Sequence, residues 1–303
     1  MIDSRPTIAV DAMGGDFGPS VVVPGALEAA RRFGVKVLLV GDASRVGEEL
    51  EKLQARGVSV EVVHASETVA MDEKPSEVLR RKKDSSIQVA CRLVKDGQAD
   101  GVVSAGNSGA SMACGIFILG RIKGVERPAL ASVLFTEKNP MVLIDVGANV
   151  DCKPYHLFQF GLMANVLSRD VMGVTSPRVG LLSIGEEEGK GNVQVREAFD
   201  LFKMSSLNFV GNVEGRDIFT GDVDVVVCDG FVGNVALKLS EGLAVMLARM
   251  FKKELKSGLT MRLANLFSQG AMRRFSRLVD YAEYGGAPIL GLQGIVIVCH
   301  GAS

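Results

Sequence analysis

The chain has no tryptophan, only three histidines, five cysteines and a net charge of −1 over 303 residues. So few histidines make a histidine-rich metal centre implausible, and the cysteines contain no C-x-x-C spacing. An odd, unpatterned set of cysteines argues for a reducing compartment and against a disulfide framework or a zinc site. The near-neutral charge gives no overall field to attract nucleic acid. We therefore predict a cytoplasmic protein without a metal, a cofactor or a nucleic-acid partner.

Several familiar segments and motifs are also missing. No apolar run approaches the roughly 18 residues that a membrane-spanning helix needs. The first six residues lead directly into a strand, so we expect no secretory signal. No G-x-G-x-x-G follows the first strand, no G-K-[ST] follows a glycine loop, and no G-x-S-x-G is present. These absences disfavour an ordinary dinucleotide site, a P-loop and a hydrolase triad.

What the chain does contain is an alternation of strands and helices. Short β-branched runs at 7–10, 35–40 and 58–63 are separated by segments with helical spacing. This β-α-β rhythm predicts a parallel, doubly wound sheet with helices on both faces. Two apolar runs at 130–136 and 141–145 flank a turn, which predicts an antiparallel pair inserted in the sheet. With 47% hydrophobic residues, the chain can build one large α/β domain or two lobes.

The stretch 100–120 reads as strand, glycine-rich turn and helix. Its turn, Ser104-Ala105-Gly106-Asn107-Ser108-Gly109, carries only small side chains. Such a turn leaves backbone N–H groups bare at the start of a helix, where the dipole favours an anion such as phosphate. The alternative is a tight turn that needs small residues only for packing, and the motif alone supports both interpretations equally.

Comparable polar turns follow other predicted strands. In an open α/β sheet, ligands bind beyond the carboxyl ends of the strands, where such turns converge. Several turns together therefore predict a shared crevice lined by backbone amides. They lie at 14–16, 106–109, 147–149, 185–192 and 229–234.

Three side chains in or near these turns are candidates for chemistry. Lys190, between two glycines, either holds an anion or a developing oxyanion, or pairs with the glutamates at 186–188. Asn234 either donates its amide to a carbonyl oxygen or belongs only to a helix start. His300 is either a general base or a turn residue.

Two basic segments stand out as interaction surfaces. Arg80, Arg81, Lys82 and Lys83 lie in the polar stretch 71–86, which forms a charged site mouth or a solvated surface helix. The segment 252–277 interleaves basic and apolar residues, as in a helix that lies in a membrane interface. Its alternative is a helical pair packed on a partner subunit.

Seven blocks of sequence together resemble the PlsX phosphate acyltransferases of bacterial phospholipid synthesis. These blocks span nearly the whole chain and are long and specific. They are DAMGGDFGP (11–19), MDEKPSEVLRRKKDSSI (71–87), SAGNSGA (104–110), DVGAN (145–149), GEEEGKGN (185–192), NVEGRDIFTGDVDVVVCDGFVGNVALK (212–238) and GGAPILGLQG (285–294).

The resemblance implies transfer of an acyl group from acyl-[acyl carrier protein] to inorganic phosphate, giving acyl phosphate. It implies one domain over 1–303, built as a three-layer α/β/α sandwich. In that fold a mostly parallel sheet carries the inserted antiparallel pair, and a helical tip protrudes at 252–277. It also implies a homodimer that visits the membrane surface through this tip, and so a cytoplasmic, peripherally membrane-associated enzyme without a cofactor. Two alternatives are a coenzyme A-dependent phosphotransacetylase of the same fold and a non-catalytic scaffold recruited to the membrane.

The residue patterns and the resemblance together give the predicted site. Lys190 and Asn234 are the predicted catalytic residues, and no metal ligand is expected. Residues 300–303 resemble the start of another strand-to-helix turn, so we expect a helix to follow them. The predicted phosphate- and substrate-binding residues are Gly14, Gly15, Asp16, Asn107, Ser108, Gly109, Asn149, Gly185, Asp229 and His300.

Overall fold

The computed structural model describes residues 5–55, 57–254 and 285–301. The chain divides into two compact units, Met1–Pro128 with Gly285–Ser303, called unit 1, and Ala129–Tyr284, called unit 2. Each unit combines helices with a mostly parallel sheet, which confirms the predicted α/β class. The prediction of a single domain over 1–303 stays a prediction.

The secondary structure alternates along much of the chain. The strands are β1 (Thr7–Asp11), β2 (Lys36–Gly41), β3 (Val60–His64), β4 (Gly101–Ser104), β5 (Ala129–Leu134), β6 (Met141–Ile144), β7 (Val179–Leu182), β8 (Phe209–Val213), β9 (Val225–Val227), β10 (Gly286–Leu290) and β11 (Ile295–Cys299). The α-helices are α1 (Pro19–Phe33), α2 (Ala43–Lys52), α3 (Pro75–Arg81), α4 (Ser86–Lys95), α5 (Ser108–Cys114), α6 (Pro154–Asp170), α7 (Val193–Lys203) and α8 (Gly230–Glu254). A π-helical turn (Gly115–Leu119) continues α5, and a 3-10 turn (Asp217–Phe219) precedes β9.

Unit 1 has the strand order β3-β2-β1-β4-β11-β10. The first five of these strands are parallel, and β10 runs antiparallel to β11. One face of β1 and β2 packs on α1 and α2 through buried aliphatic side chains such as Val23, Leu27 and Leu39. The carboxyl ends of β1, β4 and β11 therefore lie at the same edge of the sheet.

Unit 2 has the strand order β5-β6-β9-β7-β8. β5 pairs antiparallel with β6, with Ala131 opposite Ile144, which confirms the predicted inserted pair. β6, β9, β7 and β8 are mutually parallel. Every residue of β6 and β9 is buried, as expected for central strands that read as continuous apolar runs.

Helix α8 is the longest helix of the described chain and its side chains are largely exposed. By length and composition, its segment Gly230–Phe251 could cross a membrane, and 6% of its most apolar window is buried. The expectation that no segment would meet this criterion was wrong, because an average over a window tolerates the interruptions at Lys238 and Glu241. Beyond Glu254, the predicted helical tip at 252–277 lies outside the described residues.

Candidate active site

In unit 1, three of the predicted turns meet at the carboxyl edge of the sheet. The backbone N–H of Asp16 donates to the carbonyl oxygen of Gly301 at 3.1 Å. A Cβ atom added to Gly14 would lie 2.7 Å from the backbone nitrogen of Gly106. The turns after β1, β4 and β11 are therefore in direct contact, and they bring Gly14, Gly15 and Asp16 close to the loop that His300 begins.

Glycine is required at both positions of the first turn. Gly14 leaves no room for a side chain, since Gly106 and the Asp11 carboxylate oxygen Oδ2 both lie within 3 Å of the added Cβ. Gly15 has a φ of 85°, in the left-handed region that favours glycine. Packing of the two backbones therefore accounts for glycine at these positions, and the anion interpretation of the turns stays a prediction.

Asp11 links the turn after β1 to the turn after β4 by hydrogen bonds. Its carboxylate is buried, Oδ2 accepts the Ser104 hydroxyl at 2.7 Å, and Oδ1 accepts the Met13 N–H at 3.3 Å. The Ser104 hydroxyl in turn accepts the Gly106 N–H at 3.1 Å. Burial raises the pKa of Asp11, and hydrogen bonds from Ser86 and Ser104 oppose this effect. These groups line a small pocket beneath the glycine turn.

The Asn107 side chain is fully engaged within unit 1. Its Oδ1 accepts the Ala110 N–H at 2.9 Å and caps α5, while its Nδ2 donates to the carbonyl oxygens of Met71 and Glu73 at 2.9 Å each. In this conformation the amide has no spare N–H for an anion. The exposed Ser108 and Gly109 follow it in the first turn of α5, where backbone N–H groups have no partner inside a helix.

In unit 2, the turns after β6, β9 and β7 share one edge because these strands are parallel neighbours. The Gly230 N–H donates to the carbonyl oxygen of Asn149 at 2.7 Å. A Cβ added to Gly147 would lie 3.8 Å from side-chain atoms of Asn234. Asn149, Asp229 and Asn234 therefore belong to adjacent turns, and the exposed Asn234 side chain lies beside the Gly147 turn.

Asp145 in unit 2 resembles Asp11 in unit 1, because it is a buried aspartate that accepts hydrogen bonds from turn residues. It is completely buried, and its Oδ1 accepts the N–H groups of Leu130, Gly147 and Ala148 at 3.0–3.2 Å. Its Oδ2 accepts the backbone N–H and the side-chain amide of Asn149 at 2.7 and 2.8 Å. Burial raises the pKa of Asp145, while these hydrogen bonds favour the carboxylate. Asn149 is thus held by Asp145 through both its backbone and its side chain.

Asp229 uses one carboxylate oxygen to cap α8. Its Oδ1 accepts the N–H groups of Phe231 and Val232 at 3.0 and 2.9 Å. In the same turn, a Cβ added to Gly233 would lie 1.9 Å from the carbonyl oxygen of Asp145. The start of α8 therefore rests on the strand end that carries Asp145, and this contact sets the position of Asn234.

Lys190 projects from an exposed loop whose base is anchored. The side-chain amide of Asn212 donates to the carbonyl oxygen of Glu187 at 2.9 Å, and the buried Gly185 lies against the aliphatic part of Lys190. Within the described residues, the Lys190 ammonium makes no ion pair. Two of the neighbouring glutamates pair elsewhere, Glu186 with Arg216 at 3.4 Å and Glu188 with Lys203 at 2.7 Å. Of the two interpretations of Lys190, this arrangement favours the unpaired cation.

The predicted residues thus lie in turns at the carboxyl ends of the parallel strands of each unit. Unit 1 holds Gly14, Gly15, Asp16, Asn107, Ser108, Gly109 and His300, and unit 2 holds Asn149, Gly185, Lys190, Asp229 and Asn234. The sequence reasoning missed the two buried aspartates, Asp11 and Asp145. The sequence signal for both is an acidic residue at the end of an apolar run. Such a residue is buried together with the run, and a buried carboxylate needs several hydrogen-bond donors around it.

The buried cysteines are poor candidates for a nucleophile. Burial raises the pKa of Cys114 to about 12, and it raises the pKa values of Cys91 and Cys228 well above the ordinary range. A thiol with a raised pKa supplies little thiolate at neutral pH. Among the residues that the structure describes, no three His, Cys, Asp or Glu side chains group as a metal site would require.

Comparison with known proteins assigns the family. Residues 6–303 match the model of a family described as "Fatty acid synthesis protein". A phosphate acyltransferase of Nitratidesulfovibrio vulgaris is 71% identical, over 98% of this chain and 86% of the relative. The chain belongs to the PlsX phosphate acyltransferase family. A phosphate acyltransferase of Lawsonia intracellularis, another member of this PlsX family, is 64% identical over 98% of this chain and 86% of its own length.

The fold is also similar to solved structures of other enzymes. A EutD phosphotransacetylase from Staphylococcus aureus matches with a TM-score of 0.63 at 16% identity, covering 99% of this chain and 89% of its own. A 4-hydroxythreonine-4-phosphate dehydrogenase from Klebsiella pneumoniae matches with a TM-score of 0.57 at 16% identity, covering 98% of this chain and 90% of its own. At these identities the likeness establishes the α/β fold alone.

Proposed function

We propose that this protein transfers a fatty acyl group from acyl-[acyl carrier protein] to inorganic phosphate, giving acyl phosphate for phospholipid synthesis. A phosphate oxygen attacks the thioester carbonyl carbon, the C–O bond forms, the C–S bond breaks, and the carrier protein leaves as its thiolate. The observation that carries this proposal is the 71% identity to a phosphate acyltransferase across 98% of the chain.

The chemistry of the predicted site residues supports a reaction in which the substrate itself is the nucleophile. Phosphate is nucleophilic at neutral pH, so no enzyme nucleophile is needed, and the high pKa of the buried thiols agrees with that. Backbone amides of the glycine turns are suited to an anion, as is the Lys190 ammonium, which makes no ion pair with the described part of the chain. We assign the Asn234 amide to the oxyanion that develops as phosphate attacks. Orientation by the turns supplies much of the remaining acceleration.

The test is phosphate-dependent release of carrier-protein thiol, measured with the wild type and with Lys190→Ala. We expect the variant to lose at least about tenfold in kcat/KM while keeping its thermal unfolding midpoint. Lys52→Ala is the matched control, because Lys52 is an exposed lysine whose surface ion pair with Glu49 contributes little. Activity of Lys190→Ala equal to that of Lys52→Ala would remove Lys190 from the mechanism.

A coenzyme A-dependent phosphotransacetylase is the second candidate, favoured by the fold likeness to the phosphotransacetylase of Staphylococcus aureus. Acetyl-coenzyme A and long-chain acyl carrier protein are supplied in parallel with phosphate, and acyl phosphate is trapped with hydroxylamine. Consumption of the carrier-protein thioester supports the leading proposal. Consumption of acetyl-coenzyme A alone contradicts it.

We further propose that the protein is a homodimer and touches the membrane surface through 252–277. The basic and apolar pattern of this segment supports membrane contact, as does the exposed apolar side of α8 that leads to it, with Leu239 72% exposed. Charge reversal at Arg273, Arg274 and Arg277 tests the contact, with an expected loss of binding to anionic vesicles and retained soluble activity. Binding that persists would favour a subunit contact instead, and light scattering measures the oligomeric state.

A further inference from the structure

The surface of α3 is the most basic part of the described chain that the site leaves unused. Residues 74–83, KPSEVLRRKK, contain five basic residues and one acidic residue, although the whole chain has a net charge of −1. The side chains of Arg80, Arg81 and Lys83 are exposed. Within the described residues, none of these three makes an ion pair. Three adjacent cations without partners form a patch of positive potential, called here the α3 patch.

The α3 patch rests on an anchored helix. Val78 is completely buried, and the Gln88 amide donates to the carbonyl oxygens of Val78 and Lys82 at 2.9 and 3.1 Å. The Lys82 ammonium is occupied, because it contacts Glu73 at 2.5 Å and the carbonyl oxygen of Thr68 at 2.6 Å. One lysine of the run therefore fixes the helix, and the other basic residues remain directed to solvent.

The helix that carries the α3 patch begins at the glycine turn of unit 1. A Cβ added to Gly109 would lie 2.9 Å from Cγ of Pro75, the first residue of α3. The Asn107 amide ties the same turn to the segment just before α3 through Met71 and Glu73. A molecule bound on α3 thus lies on a helix that starts beside one of the glycine turns to which the proposed function assigns the anion.

We infer that the α3 patch is the docking surface for the acidic carrier protein that delivers the acyl thioester. This inference rests on the proposed function, and it selects between the two basic segments of the chain. Inorganic phosphate is too small to need three cations outside the turn. An anionic lipid surface fits less well, because Val78 is buried and Leu79 is half-buried, which leaves α3 no large exposed apolar side chain for insertion. Complementary charge mainly raises the association rate of a protein partner, which suits a carrier that must bind and leave in each cycle.

The test is the double reversal Arg80→Glu with Arg81→Glu. Its matched control is Arg31→Glu with Arg32→Glu, an equally exposed arginine pair in the last turn of α1 in the same unit. We expect the α3 variant to raise KM for acyl carrier protein about tenfold or more, with kcat and the KM for phosphate unchanged. Added salt should raise the wild-type KM for acyl carrier protein, and it should raise that KM less in the α3 variant. The α1 variant should behave as the wild type.

The inference is overturned if the α3 variant keeps the wild-type KM, or if both variants raise it equally. It is also overturned if the α3 variant loses binding to phosphatidylglycerol vesicles instead of binding to carrier protein. If the wild type does not consume acyl carrier protein, the proposed function fails. Fluorescence anisotropy with labelled acyl carrier protein then decides docking separately, since weaker binding by the α3 variant alone supports it and an absence of wild-type binding refutes it.

Discussion

Gly233 offers a sharp test of the geometry around Asn234. A Cβ at Gly233 would lie 1.9 Å from the carbonyl oxygen of Asp145 and 2.9 Å from the sulfur of Cys228, whereas real Cβ contacts essentially never fall below 3.0 Å. Gly233→Ala therefore forces the first turn of α8 and the end of β6 apart by about 1 Å or more. Gly242 lies further along the same helix and has nothing within 4 Å of its added Cβ. The two substitutions are chemically identical and differ only in this contact.

The expected effects have opposite signs. Overpacking costs ~1–3 kcal/mol, and a clash with a main-chain oxygen belongs at the upper end because backbone relaxes least. Alanine in place of glycine stabilises a helix interior by about 1 kcal/mol. Gly233→Ala should thus lower the free energy of unfolding by about 2 kcal/mol, and Gly242→Ala should raise it by up to about 1 kcal/mol. At roughly 2–4 °C per kcal/mol, the unfolding midpoint should fall by about 4–8 °C in the first variant and rise by about 2–4 °C in the second.

Thermal unfolding followed by circular dichroism measures both midpoints, and trapping of acyl phosphate measures turnover. A displacement of about 1 Å at a positioned catalytic group can cost about a hundredfold in rate. If Asn234 has the role proposed above, Gly233→Ala should therefore also be far less active below its midpoint. If Gly233→Ala is as stable and as active as Gly242→Ala, the contact with Asp145 does not position Asn234.

Two further outcomes follow from individual side chains. Burial raises the pKa of Asp224, but hydrogen bonds from Arg178 outweigh it, so the folded-state pKa lies below the ordinary value of 3.8. The stability that Asp224 contributes is therefore present above that value and is lost as pH falls through the folded-state pKa. The midpoint gap between wild type and Asp224→Asn should narrow as pH falls below about 4, and a constant gap would contradict this. Asn107→Ala should lower the midpoint by several degrees, since a lost helix cap costs about 0.5–2 kcal/mol, and Asn107→Ser should recover part of it. An unchanged midpoint in Asn107→Ala would show that the cap and its two partner carbonyls contribute nothing.

The elements themselves were largely predictable from local patterns. The strand predicted at 58–63 is observed at Val60–His64, and the runs predicted at 130–136 and 141–145 are β5 (Ala129–Leu134) and β6 (Met141–Ile144). Each rests on β-branched or apolar runs bounded by glycine, proline or asparagine, a signal that depends on neighbours along the chain. The shifts at the ends arise because pairing with the next strand decides where a strand stops.

The partners of the site residues were not predictable in the same way, because they are distant in sequence. Ser104 bonds Asp11 across 93 residues, and Asn107 bonds Met71 across 36. The sequence marks Asn107 as a polar residue in a glycine turn, but only the fold shows that its amide donates hydrogen bonds to the segment before α3. For Lys190 the sequence left two interpretations open, and only the fold shows that Glu186 and Glu188 pair with Arg216 and Lys203.

The two buried aspartates bear on the proposal that these turns bind an anion, because each turn has a carboxylate next to it. A free carboxylate near phosphate would repel it, yet both oxygens of Asp145 are occupied by donors and the side chain is completely buried. Asp11 is likewise turned inward, onto Ser104 and Met13. Because burial raises the pKa of each group, neutralising the charge costs less here than in water. Each aspartate holds one set of turn amides inward, so under the proposed function an incoming phosphate would use N–H groups of the turns that the aspartates do not bind.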